Sequence, residues 1–171
     1  MTKVLLMSDS HGLTKHIDEI VNRHEVDVKI HCGDSELSHD AQQLKDFVIV
    51  RGNCDWDQAF LEDEVIDLNG LRLLITHGHL YGIKSSLMQL RYRALEAEAN
   101  IVLFGHSHIA YAEQFDKQLF INPGSIQQPR KWNVASYCIL SWDKPTDVKV
   151  IFYDIAGNEI DSFPYETSYE L

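Results

Sequence analysis

The chain has 171 residues, with 15 Lys and Arg against 26 Asp and Glu, for a formal net charge of −11. So acidic an exterior repels phosphate backbones and anionic headgroups, which excludes stable nucleic-acid coating and membrane docking. A composition 44% hydrophobic and 10% aromatic supports one cored domain over residues 1–171 and excludes a disordered chain.

In chain order, Lys3–Ser8 is a short apolar run that stops at Asp9 and predicts a buried strand. Thr14 is placed to cap a helix over Lys15–His24, with Ile17, Ile20 and Val21 on one face. A second strand, Val26–Cys32, runs into Gly33-Asp34. A short helix is expected over Ser38–Lys45 and a third strand over Phe47–Arg51, ending at Gly52-Asn53. Glu64–Leu68 and Leu71–Thr76 flank Asn69-Gly70, a strong hairpin signal. The spacing of Leu87, Leu90, Ala94 and Ala97 predicts the longest helix, from Ser85 or Ser86 to Ala99. Ile101–Phe104 is a further buried strand. Beyond Ala110 the texture turns to strands alone: Tyr111–Phe115, Gln118–Ile121, Ala135–Trp142, Val148–Tyr153 and Glu159–Phe163. A βα half running into a β-rich half without a linker implies two packed sheets with helices outside.

Five of the apolar runs end at residues that can bind a metal: Asp9 and His11, Asp34, Asn53 and Asp55, His77 and His79, His106 and His108. Ligands of α/β sheets collect beyond the carboxyl ends of the strands, so these tips can meet in one place. Imidazole nitrogen mixed with carboxylate and amide oxygen suits Mn²⁺, Fe²⁺, Zn²⁺ or Ni²⁺. The set is larger than one ion needs, and two ions sharing a carboxylate would use it. Asp34 is the expected bridge, because Gly33 lets the chain turn and present both oxygens. Gly12, Gly52, Gly78 and Gly105 stand beside the other ligands and are expected to relieve crowding.

Asp9-Ser10-His11, Gly33-Asp34, Gly52-Asn53-Cys54-Asp55, His77-Gly78-His79, Gly105-His106-Ser107-His108 and Asn122-Pro123-Gly124-Ser125 together resemble the calcineurin-like metallophosphoesterases, in their small prokaryotic YfcE-like phosphodiesterase branch. The resemblance implies an α+β fold, a four-layer αββα sandwich of two mixed sheets flanked by helices. It also implies two divalent ions per chain, manganese first, with nickel, zinc or iron as alternatives. Carried over position by position, Asp9, His11, Asp34 and His108 would hold one ion, and Asp34, Asn53, His77 and His106 the other. Two carboxylates against two divalent cations leave a positive site in an acidic protein, suited to hydroxide and a phosphate ester. The expected reaction is in-line attack of the bridging hydroxide on a small phosphodiester or nucleotide-like substrate.

Many members of the superfamily read Gly-Asn-His at the third motif, where that histidine donates a proton to the leaving group. Here the residue is Cys54, and a thiol of pKa near 8.5 is a poor donor to an alkoxide. Proton delivery then falls to His79 or to water, or the enzyme favours good leaving groups. His31 and Asp55 are expected to support the ligands from behind, and Arg130, beside Lys131, to contact the phosphate. His16, His24 and His39 read as surface residues, Cys32 and Cys138 as core, and the aromatics after Val150 as core cover. An odd cysteine count and a short apolar start before Asp9 point to a reducing, cytoplasmic setting, with a homo-oligomer left open. A phosphomonoesterase with the same centre is the alternative within the enzymes. A scaffold resembling the small retromer subunit is the alternative outside them.

Overall fold

The computed structural model describes residues 1–171. One sheet has six strands in the order β11-β10-β9-β1-β2-β3 and the other five in the order β4-β5-β6-β8-β7. β1 (Thr2–Met7), β2 (Val28–His31) and β3 (Phe47–Ile49) run parallel, and β9 (Ser136–Trp142), β10 (Val148–Asp154) and β11 (Ser168–Tyr169) extend that sheet antiparallel. In the second sheet β5 (Leu71–Thr76), β6 (Ile101–Leu103) and β8 (Gln118–Pro123) are parallel, while β4 (Asp63–Leu68) and β7 (Ala110–Phe115) are antiparallel edges. The expected four-layer αββα sandwich of two mixed sheets is the observed one.

Alternation along the strands explains the layering. Val4 and Leu6 enter the cluster between the sheets, whereas Leu5 and Met7 face α1 (Thr14–Arg23) through Ile17 and Ile20. On the second sheet Leu73, Ile75, Ile101 and Leu103 point into the same interior. Leu74 and Val102 point outward to α2 (Met88–Glu96), meeting Leu90 and Ala94. Successive side chains on a strand take opposite faces, so a continuous apolar run needs cover on both. No helix is long and apolar enough to cross a membrane.

Several boundaries differ from the sequence reading. Leu13, not Thr14, holds the N-cap of α1 and makes no side-chain bond there. Only Gln42–Leu44 coils where a helix over Ser38–Lys45 was expected, because Ser38 and His39 are tied to Asp57 instead. α2 is shorter than α1: Ser85 and Ser86 turn back on the Gly82 carbonyl, and Glu98 at φ 52° closes the far end as Ala99 N–H reaches the Ala94 carbonyl. Glu159–Phe163 makes a single bridge rather than a strand, since Ile160 and Phe163 turn into the interior beside Phe152. His24 is half-buried, with Nε2 2.7 Å from the Tyr137 hydroxyl, and is not a free surface residue. The Asn69-Gly70 hairpin forms as expected, both residues at positive φ.

Candidate metal centre

The carboxyl ends of β1, β2, β3, β5 and β6 open on the same edge of the sandwich, and the loops beyond them interlock. Asp9 N–H donates to the Gly33 carbonyl (3.0 Å), His11 N–H to the Asp34 carbonyl (3.0 Å) and Gly105 N–H to the His77 carbonyl (3.1 Å). Asp9, His11, Asp34, His106 and His108 all sit at positive φ, a conformation that costs a non-glycine residue on the order of 1–2 kcal/mol. Asn, Asp and His tolerate it best, and the strain collects where the tips converge.

Three imidazoles have their proton committed away from the centre. His77 Nδ1–H donates to the Cys32 carbonyl (2.7 Å), His108 Nδ1–H to the Gln128 carbonyl (2.8 Å) and His11 Nδ1–H to Glu36 Oε1 (2.5 Å). A carbonyl only accepts, so the tautomer is settled for the first two, and each neutral ring turns a bare Nε2 inward. Those three nitrogens lie 3.9, 3.1 and 3.9 Å from Asp9 Oδ1 for His77, His108 and His11 respectively. Asp9 Oδ1 is itself buried with no hydrogen-bond donor. His77 Nε2 is also 3.2 Å from Asp34 Oδ2 and 3.2 Å from Asn53 Oδ1. With the rings neutral, acceptors face acceptors in a buried space, and a cation there, whether a proton or a metal ion, satisfies them.

The ligand atoms of Asp9, His11, Asp34 and His108 all lie within 4.8 Å of one another. That is the first of the two expected ligand sets, brought together complete. Of the second set, Asp34, Asn53 and His77 meet directly, and the His106 ring lies 5.1 Å from that of His77. The donors fit borderline divalent ions in both halves.

The ionisation pattern reports the same field. Burial opposes the charge on Asp9 and Asp34, yet the His108 contact and the His77 and His108 charges hold Asp9 low. His77 and the Cys54 N–H hold Asp34 far below the usual carboxylate range. Burial also opposes charge on His77, but the bond to Asp34 and the charges of Asp9 and Asp34 raise it. The contact with Asp9 raises His108. A proton is the smallest cation, and these rings hold one more tightly than free histidine does. His106 is pushed down to about 4 by burial and by the neighbouring His77 and Lys84 charges.

Asp55 accepts from four donors: Asp34 N–H (2.8 Å), Gly52 N–H (2.7 Å), Glu36 N–H (2.8 Å) and Ser35 Oγ (3.3 Å). It ties the β2 tip to the β3 tip. Gly52 is required there because a Cβ on it would stand 2.1 Å from Asp34 Oδ1. Gly12, expected to relieve crowding, meets nothing within 4 Å; it serves a turn at φ +80°. His31 is fully buried, accepts from Gly33 N–H (3.1 Å) and holds Ser10 Oγ at 2.9 Å. Burial pushes it down to about 4, so it remains neutral. Ser125 Oγ donates to the Asp9 carbonyl (2.8 Å), which places the Asn122–Ser125 turn against the same loop.

His79 is half-buried, its ring 5.4 Å from that of His77, and its Nδ1 has no partner. Arg130 binds the His108 carbonyl through its backbone N–H (2.9 Å), and its side chain is exposed at the rim of a neighbouring cavity. Sequence reasoning missed Glu36, which orients His11. The signal available was an acid two positions beyond Asp34, on the same tip.

Residues 2–145 match the model of the calcineurin-like phosphoesterase superfamily domain. The chain is 46% identical over 160 residues to a probable metallophosphoesterase, YsnB, of Bacillus subtilis, covering 92% of this chain and 94% of that one. It is 33% identical over 111 residues to the phosphodiesterase YfcE of Escherichia coli, covering 56% of this chain and 53% of that one. A solved structure from Streptococcus pneumoniae, described as a conserved uncharacterized protein and predicted phosphoesterase, superposes with a TM-score of 0.91. It is 35% identical, across 99% of this chain and 97% of that one.

Proposed function

The chain belongs to the calcineurin-like phosphoesterase superfamily and is a phosphoesterase, and from that premise we propose that it hydrolyses small phosphodiesters at a centre of two divalent ions. The observation that carries the reading is the donorless Asp9 Oδ1, ringed by three imidazole nitrogens whose protons lie on their far sides. Asp9, His11, Asp34 and His108 would hold one ion, and Asp34, Asn53, His77 and His106 the other, with Asp34 shared. Two such ions supply Lewis acidity toward phosphoryl oxygens and a hydroxide nucleophile near neutral pH. Manganese is the leading candidate, ahead of nickel, zinc and iron.

The chain's own residues orient and protonate. Asp55 fixes the angle between the Asp34 and Asn53 loops, and His31 holds Ser10 beside Asp9. Asn53 would contact the phosphoryl group as well as an ion, and Arg130 the substrate beyond it. Cys54 is pushed up to about 11 by burial and by Asp34, so it remains a thiol and releases no proton near neutral pH. His79, its ring beside those of His77 and His106, would protonate a leaving oxygen, with water or a substrate with a good leaving group as the alternatives.

Parallel assays on bis(p-nitrophenyl) phosphate and p-nitrophenyl phosphate test the preference, with faster turnover of the diester expected. Faster monoester turnover would replace the reading with a phosphomonoesterase. Metal analysis of active protein purified without chelator is expected to find about two ions per chain. A metal-loaded chain inert on both esters would favour the scaffold alternative.

A further inference from the structure

Beside the ligand cluster lies a cavity of about 290 Å³ walled by Ile83, Leu87, Phe104, Ile109 and Tyr111. It shares two loops with the metal centre. Ser107, between His106 and His108, borders the cavity and is held by the Asn122 amide (3.1 Å). Gly78, between His77 and His79, abuts the cavity wall so closely that a Cβ on it would stand 3.0 Å from Ile83 Cγ1. Each His-x-His segment therefore gives its rings to the centre and its middle residue to the cavity side.

The cavity wall is mostly apolar; besides Ser107, its polar members are two exposed cations, Lys84 and Arg130. The arginines of α2 are paired, Arg91 with Asp116 and Arg93 with Asp63. Lys84 and Arg130 have no carboxylate partner, in a chain where acids outnumber bases 26 to 15, and no acid lines the cavity. Unpaired positive charge above an apolar floor complements a ring that carries an anion. The volume falls at the lower end of the ~300–1,000 Å³ of ligand pockets, enough for one ring system and not for a polymer.

We propose that this cavity receives one ester arm of the substrate and selects an apolar ring bearing a second anionic group. Leu87, Phe104 and Ile109 pack on the ring, and Lys84 and Arg130 meet its charge. The assignment rests on the phosphoesterase reading, because the phosphorus must sit at the ligand cluster for an arm to reach the cavity.

Calorimetric binding to the manganese-loaded protein tests it without turnover, using methylphosphonate, phenylphosphonate and 4-carboxyphenylphosphonate. Phenylphosphonate is expected to bind about ten- to a hundredfold more tightly than methylphosphonate. The carboxyphenyl compound should gain roughly a further threefold. Leu87→Asp puts an acid at the N-cap of α2, where the helix accepts it, and should bring the phenyl-to-methyl ratio close to one. Ile109→Gln provides a second variant with the same expectation should Leu87→Asp not fold. Lys84→Gln should remove the carboxylate increment and spare the ring preference. Equal wild-type affinities for methyl- and phenylphosphonate would overturn the cavity's role alone, and a carboxylate that weakens binding would overturn the part given to the cations. If methylphosphonate does not bind at all, the phosphoesterase reading falls and the cavity assignment with it.

Discussion

The strand-tip rim and the interior between the sheets are built from the same strands and obey opposite rules. Inside, Val4, Leu6, Leu73, Ile75, Ile101 and Leu103 follow each strand's alternation and satisfy every local preference at once. At the rim, six of the chain's twelve non-glycine residues with positive φ gather: Asp9, His11, Asp34, Glu36, His106 and His108. There, buried acceptors face one another without donors. The interior stores stability. The rim consumes part of it in left-handed backbone at residues other than glycine, as strained sites elsewhere do.

Substitutions can break that contrast, and the largest effect is expected from Asp9→Asn. The change keeps shape but places an NH₂ donor among bare imidazole nitrogens, so phosphodiester turnover should fall on the order of a thousandfold. The melting temperature in chelator should fall slightly as well, because the folded chain holds the Asp9 carboxylate low and so gains stability from its charge. A rise in melting temperature would show that the Asp9 carboxylate burdens the metal-free chain. Leu140→Ala, in the interior cluster on β9, is expected to cost about 2–5 kcal/mol in denaturant unfolding while kcat per folded chain holds. If kcat fell with stability, the two regions would not be separable.

Removing metal sharpens the contrast from the other side. Ions that bind only the folded chain at a hundredfold excess over Kd add about 2.7 kcal/mol, so chelation should lower the melting temperature accordingly. An unchanged melting temperature would mean that the rim is satisfied without cations. Cys54→Ser should change turnover little at neutral pH, since the thiol pushed to about 11 transfers no proton there. A hundredfold loss would assign Cys54 a direct role. The smallest effect concerns His24, at the C-terminal end of α1, where its ring meets Tyr137 of β9. Burial, with the Arg23 charge, lowers its pKa, so the fold favours the neutral ring. Its contribution is full above the unfolded pKa and declines as pH falls below about 6.5. His24→Gln should flatten the stability profile slightly between neutral and mildly acidic pH, and an identical profile would show that the Tyr137 contact tolerates the charged ring.

How much was legible in the sequence follows from the range of the forces involved. Short apolar runs that stop at Asp, Asn and His are local signals, so the parallel strands, the Asn69-Gly70 hairpin and the candidate ligands could be read directly. Helix ends were less legible. The turn at Gly82, the left-handed Glu98 and the Asp57 tether on Ser38 and His39 depend on contacts that a periodic pattern does not contain. Glu159–Phe163 read as a strand because it follows the Gly157-Asn158 turn, but Ile160 and Phe163, three residues apart, both enter the interior, which a strand's alternation does not allow.

What the sequence determined by itself is the inventory: which donors exist, in what order, and that they stand at strand ends. The −11 charge belongs to that inventory too, and it says nothing of the rim. Only the tertiary structure decided orientation. Whether His11, His77 and His108 turn Nε2 inward depends on where Glu36 and the Cys32 and Gln128 carbonyls lie, which are 25, 45 and 20 residues away in the chain. An imidazole becomes a ligand when a distant acceptor takes its other proton, and that choice is made by the fold.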